Sequence, residues 1–227
     1  MKTLKLGLIS ALAITAAAPS FAQSAEAKAG VALNVRDYPS EFSTVVDVLD
    51  LNQPVTIEGC LEDISWCKVS YEDQTGWASG QYLYVEEDAE PVALVNTPTT
   101  ITLETVTVTD EDATQDDQNR AAAVGATIGS LIAYAAGGPA GAIVAGGILG
   151  TAATVSQVEP TEETRVYVRE NPVETVYLNG EVVVGAGVPA EVETFEIPGQ
   201  PEYRYLVIND QLVLVDAETY VIAEILR

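Results

Sequence analysis

No charged residue occurs between Arg120 and Glu159, and that gap limits what the chain can fold into. The stretch "AAAVGATIGSLIAYAAGGPAGAIVAGGILGTAAT" is rich in alanine and glycine, whereas both flanks are short β-branched runs broken by Asn, Gly and Pro. The flanks are read as separate territories. Gly125 and Gly129 lie four apart, as do Gly137 and Gly141, and Gly146 and Gly150. Residues at i and i+4 share a helix face, and small ones let a second helix come close. Those six glycines are the expected helix-packing positions. Gly137–Pro139 interrupts the run, since glycine ends helices well and proline starts them well. The spacing predicts a hairpin of two helices, over 121–136 and 139–153, within a segment spanning 121–157. Each half would be about 24 Å long, short for a bilayer crossing. A membrane-inserted hairpin, an oligomer seam, a buried helical hairpin and a single span all stay open here.

The first residues give an address. "MKTLK" is basic, "LGLISALAITAAAP" is apolar but short, and "SFA" supplies small residues before Gln23. That order is a secretory signal peptide, residues 1–22, with cleavage expected after Ala22. No cysteine follows the apolar core, so no lipid-modified N-terminus is expected. Export implies an oxidising compartment, where Cys60 and Cys67, the only two cysteines, have one intrachain pairing open to them. A C-x-x-C motif is absent, and so is a zinc ligand set. The pair is read as a structural disulfide.

Charge and the missing histidine exclude further classes. Ten basic residues face 34 acidic ones, and removing Lys2 and Lys5 with the leader moves the formal charge from -24 to -26. Such a field repels nucleic acid and anionic headgroups alike. With no histidine, the usual general base, triad partner and commonest metal ligand are gone. Asp110, Asp112, Asp116 and Asp117 crowd together in "TDEDATQDDQNR", without the glycine and terminal glutamate of a calcium loop. Residues 87–120 are read as an acidic, Thr-rich solvated linker. No catalytic residue, metal or cofactor is expected, and the chain is read as a non-enzyme.

Residues 30–86 alternate in the manner of strands. "VALNVRDYPS", "STVVDVLDLNQPVTIEGC" and "WCKVSYEDQTGWASGQYL" hold five short strands with turns between them, which points to a small barrel. The Leu-Asn-Val-Arg start, the following Pro-Ser, the "QPV" strand entry, the "W-x-x-V" strand and the "GW-x-x-x-x-YL" finish together resemble the bacterial SH3-like (SH3b) domain. That resemblance implies a module that acts at the cell wall in many exported members, some of which contact peptidoglycan peptides. In such a barrel Cys60 ends one strand and Cys67 opens the next. Strict alternation does not put both sulfurs on one face, and a bulge near Gly59 would cure that. Trp77, in the "GW" pair, is expected in the core. Tyr38 and Trp66 lie beside loops and are the candidate ligand-binding rings.

Residues 158–227 return to short strands. "VETVYLNGEVVV" reads as a hairpin on Asn179–Gly180, "AEVETFEIP" as further strand, and "YRYLVINDQLVLVDAETYVIAEIL" as three strands joined at Asn209–Asp210 and Ala217–Thr219. The pieces "VGAGVP", "IPGQPEYRYLVIND" and "LVLVDAETYVIAEI" resemble a domain of unknown function that ends many secreted bacterial proteins. The glycine-spaced segment likewise resembles the glycine zippers of bacterial envelope proteins.

The expected architecture is mainly β: an N-terminal SH3-like small barrel, a central Ala/Gly-rich helical hairpin and a C-terminal small β-meander domain. The expected function is an exported periplasmic or envelope protein whose SH3-like domain binds a cell-wall peptide or a protein partner. The alternative is a structural protein, forming homo-oligomers or associating with a membrane through the glycine-rich segment.

Overall fold

The computed structural model describes residues 25–87, 90–96, 103–108, 129–130 and 160–227. The expected signal peptide lies outside them, as does most of the expected helical hairpin, including Gly125, Gly137, Gly141, Gly146 and Gly150. What is described is mainly β, in an N-terminal and a C-terminal β domain, as expected.

The N-terminal domain is an eight-stranded antiparallel sheet. Its strands are β1 (Ala25–Ala29), β2 (Leu33–Arg36), β3 (Val45–Leu49), β4 (Pro54–Cys60), β5 (Trp66–Tyr71), β6 (Gln74–Ser79), β7 (Leu83–Glu87) and β8 (Glu90–Ala93), in the order β3-β2-β6-β5-β4-β1-β7-β8. The sheet therefore reaches beyond residues 30–86 at both ends. β1 is the addition that matters most, since it lies between β4 and β7, pairing Ala25 with Ile57 and Ala29 with Leu83. Its sequence, AEAKA, carries no β-branched residue. Ala27 and Ala29 are buried all the same, and the small side chains let β1 fill its place between two strands.

The bulge near Gly59 is present. Ile57 faces Val69 and Gly59 faces Lys68, so Glu58 is the extra residue. That one-residue shift turns Cys60 from the outer parity of Thr56 to the inner one, directly opposite Cys67.

The C-terminal domain begins with a helix that the strand reading missed, α1 (Glu162–Glu170). Its signals are local. Thr161 Oγ1 accepts the Thr164 amide at 3.2 Å, Glu162 and Glu163 occupy the first turn and Arg169 the last, which suits the helix dipole. Beyond it come β10 (Thr175–Val176), β11 (Leu178–Asn179), β12 (Phe195–Glu196), β13 (Tyr203–Ile208), β14 (Gln211–Asp216) and β15 (Ile222–Leu226). β13, β14 and β15 form the three-stranded run that was expected. Asn209 and Asp210 both take positive φ, 47° and 63°, as a tight two-residue hairpin requires.

The expected Asn179–Gly180 hairpin does not form. β11 ends at Asn179, and Glu181, Val182 and Val183 follow as buried, non-strand chain. The reason is tertiary: Glu181 is drawn into the seam between the two domains, as described below. A second correction concerns Gly129. It sits with Ser130 in a two-residue strand, β9 (Gly129–Ser130), parallel to β11, where a helix over 121–136 was expected. Lacking a Cβ, glycine lets another backbone approach closely, and here that partner is a strand.

The two faces of the C-terminal sheet serve different neighbours. Tyr203, Tyr205 and Leu214 pack with Val168 of α1. Leu206, Ile208, Val213, Val215 and Ile222 join Val182, Val183 and Val188 in a core continuous with Leu33, Val35, Leu49 and Leu83 of the N-terminal domain. The two domains share one apolar interior.

Candidate functional site

Strand β2 alternates. Leu33 and Val35 point into the shared core, while Asn34 and Arg36 leave on the opposite parity, yet both are fully buried. What covers them is the chain just after β11. Arg36 Nε donates to Glu181 Oε2 at 2.9 Å and Nη2 to Oε1 at 2.6 Å. The third guanidinium nitrogen donates to the Ser43 carbonyl. Asn34 Nδ2 donates to Glu181 Oε1 and to the Val182 carbonyl, and its Oδ1 accepts from Arg227 Nη2 at 3.1 Å. The Gly180 amide donates to Glu41 Oε1 at 3.2 Å, and Phe42 meets Tyr177 edge-on with centroids 6.2 Å apart.

The arrangement matches a planar fork to a carboxylate and satisfies both oxygens. Each partner's side chain is only 1% exposed. Losing one would leave the other as an uncompensated buried charge, which costs about 3–5 kcal/mol. Burial, followed by the charge of Glu181, holds the Tyr82 phenol above its ordinary range.

Trp77 lies directly opposite Arg36 on β6, and Trp66 is its diagonal neighbour across the β5–β6 pair, where Trp66 faces Ser79 and Lys68 faces Trp77. Opposed residues of paired strands share a face. One face therefore runs Arg36, Trp77, Lys68, Trp66. Trp77 is buried, on the side of β6 away from Ala78 of the core. Trp66 is 7% exposed, so its ring is largely covered. Tyr38 is half-buried in the β2–β3 loop, its carbonyl accepting the Ser43 hydroxyl at 2.6 Å.

Cys60 and Cys67 form the expected disulfide, with Cα atoms 3.9 Å apart. Beyond the reach of β1, the edge of β4 takes a piece of the acidic linker. The Cys60 amide donates to the Glu104 carbonyl and the Val106 amide to the Cys60 carbonyl, both at 2.8 Å, in a parallel bridge through Thr105. Gly59 makes the approach feasible, because a Cβ there would meet Val106 Cγ2 at 2.5 Å and the Glu104 carbonyl at 2.9 Å.

Among the described residues no group of three or more His, Cys, Asp or Glu is placed to hold a metal ion. Among them, too, no helix is long and apolar enough to cross a membrane. A cleft of about 480 Å³ lies in the C-terminal domain against the Ile197–Pro201 turn. Another of about 330 Å³ opens between β3 and the end of β15, lined by Val45, Asp47, Ile225 and Arg227.

Residues 31–84 match the bacterial SH3 domain. Residues 167–227 match the Domain of unknown function (DUF1236). The bacterial SH3 match thus holds Asn34, Arg36, the disulfide and both tryptophans, and the DUF1236 match holds Glu181 and Arg227. A bacterial SH3 domain suggests a binding role. No curated protein matches the chain. Among solved structures, NlpC1 from Trichomonas vaginalis is similar at 14% identity and a TM-score of 0.25, over 88% of this chain and 63% of that one. The chain spans less than two thirds of that protein's length, and at such a TM-score the likeness carries no argument.

Aromatic rings stand out in the sequence, whereas the Arg36–Glu181 ion pair does not. The available signal was the lone charge in "GEVVVGAGVP". An acid amid valines, directly after a glycine, invites the question of what cation it meets.

Proposed function

We propose that the chain is an exported, non-enzymatic binding protein of the cell envelope, whose bacterial SH3 domain engages a wall peptide or a protein partner. The observation that carries this reading is the bacterial SH3 match over residues 31–84. The signal-peptide pattern of residues 1–22 and a closed disulfide, the form an oxidising compartment maintains, agree with it. Because Glu181 seals Asn34 and Arg36, a ligand would approach from the Tyr38 loop or the Trp66 end of the face.

The test is co-sedimentation of the whole mature chain with purified peptidoglycan, at low and high salt. Salt-resistant binding that weakens in Tyr38→Ala is expected. Absence of binding at both salts would remove the wall as the partner. Trp66→Ala belongs in the series only with a check of folding, since that ring is buried.

A further inference from the structure

We propose that the cleft between β3 and the end of β15 binds a short peptide that carries a basic side chain. The site is separate from the Tyr38 and Trp66 face, and the inference stands apart from any wall ligand taken there.

The cleft opens where the two domains meet, a common place for a ligand site, and its volume of about 330 Å³ has room for a small one. β3 is the last strand on its side of the first sheet, and β15 ends the β13–β14–β15 run of the second. Val45 and Val46 give the β3 wall its apolar surface, and Ile225 and Leu226 give that of the β15 wall. Val46 is the extra residue of a bulge, since Val35 faces Asp47 and Arg36 faces Val45. A bulge re-aims a side chain, and Val46 is 51% exposed. An apolar side chain so placed gives a ligand something to pack on.

Two polar groups of the lining lack what such a peptide brings. Gln211 opens β14, and its Nε2 is buried with no acceptor among the described residues. A buried donor without an acceptor is costly, and a peptide carbonyl would satisfy it. On the β3 wall, the Asp47 carboxylate accepts the Tyr71 hydroxyl at 2.9 Å and the Val48 amide at 2.8 Å, both neutral donors. Among the described residues it forms no ion pair. Asp210 brings a second carboxylate to the lining. Arg227, the cation of the described lining, donates to Asn34 Oδ1 at 3.1 Å. A lysine or arginine side chain entering the cleft therefore meets unbalanced negative charge. The whole chain, at a formal charge of -24, draws a cationic ligand in before contact.

Calorimetric titration of the whole mature chain at low salt tests this. The probes are N-acetyl-valyl-lysyl-valine amide and the same peptide with norleucine in place of lysine. The lysine peptide is expected to bind one-to-one, and the norleucine peptide about tenfold more weakly or less. Asp47→Asn should abolish that preference, while its amide oxygen still accepts the Tyr71 hydroxyl. Gln211→Ala should weaken both peptides about tenfold. Because Gln211 Nε2 holds no partner in the folded chain, Gln211→Ala should unfold in urea no more easily than the wild type, which separates lost binding from lost folding. Tyr38→Ala should bind both peptides as the wild type does.

No binding of the lysine peptide by the wild type overturns the proposal. So do equal affinities for the two peptides, or wild-type affinity in either Asp47→Asn or Gln211→Ala. Putrescine bound as tightly as the lysine peptide would mark a site for an amine alone, against the proposal. A loss in Tyr38→Ala would place the peptide on the other face and overturn it too. The co-sedimentation with peptidoglycan reads the wall separately.

Discussion

Glu181 and Arg36 hold the most consequential contact in the molecule, and the consequence is lopsided. Removing either leaves a buried charge without a counter-charge, so Glu181→Ala should cost about 3–5 kcal/mol in urea unfolding. Replacing both by apolar residues of similar volume should cost far less, or stabilise. The tyrosines add a pH dependence. Tyr71 and Tyr82 are both held above the ordinary 10.0 of a phenol, each first by burial; the carboxylate of Asp47 adds to it at Tyr71 and that of Glu181 at Tyr82. A phenol with a raised folded pKa contributes stability that is complete below pH 10 and is lost as pH rises beyond it. Stability should fall above pH 10, and Tyr82→Phe should flatten that fall. The check is ultraviolet titration of the phenols alongside unfolding. If Tyr82→Phe leaves the alkaline slope unchanged, the burial argument fails.

Among the elements, local signals were readable where the chain decides locally. The β13–β14 turn on Asn209–Asp210 follows from residues that tolerate positive φ. The strands of "WCKVSYEDQTGWAS" follow from alternation around a turn. β1 was not readable, because AEAKA becomes a strand only through the partners waiting on both sides of it. The Asn179–Gly180 hairpin failed for the complementary reason: a good local turn lost to a distant guanidinium. α1 was readable in principle, from Thr161 and the acids after it. Thr161→Ala should cost about 1 kcal/mol, seen as earlier loss of helical dichroism. At Gly59 the prediction is selective. Gly59→Ala should expel residues 103–108 from the edge of β4, which hydrogen exchange at the Val106 amide would report. Protection of the neighbouring β4–β5 ladder should survive. Opening the disulfide by Cys60→Ser with Cys67→Ser should cost about 2–2.5 kcal/mol on the chain-entropy account.

As a whole the molecule has two β domains around one apolar interior, and the candidate site lies where neither family match alone would place it. The bacterial SH3 resemblance was visible in "LNVRDYPS" and "GWASGQYL", but its meaning for Arg36 depended on what the other half of the chain puts over it. A shared core predicts that the halves melt together. Both tryptophans belong to the N-terminal domain, so their fluorescence reports that half, and hydrogen exchange at the β13–β14 amides reports the other. The two signals should trace one urea transition in the wild type. They should part in Glu181→Ala, where the seam is broken. Separate transitions already in the wild type would mean that the common interior contributes little.

The position of β1 has a consequence in time. It is the earliest described strand to be made, and it is flanked in the sheet by β4 and β7. Its second neighbour is not synthesised until Leu83 has been joined. Until then residues 25–29 have only one side to pair with, and the sheet stays open on the side that β7 must fill. Pairings between residues so far apart form slowly. The first domain of a newborn chain therefore stays open until most of it has been made. The strand that is made first is among the last to be secured on both sides.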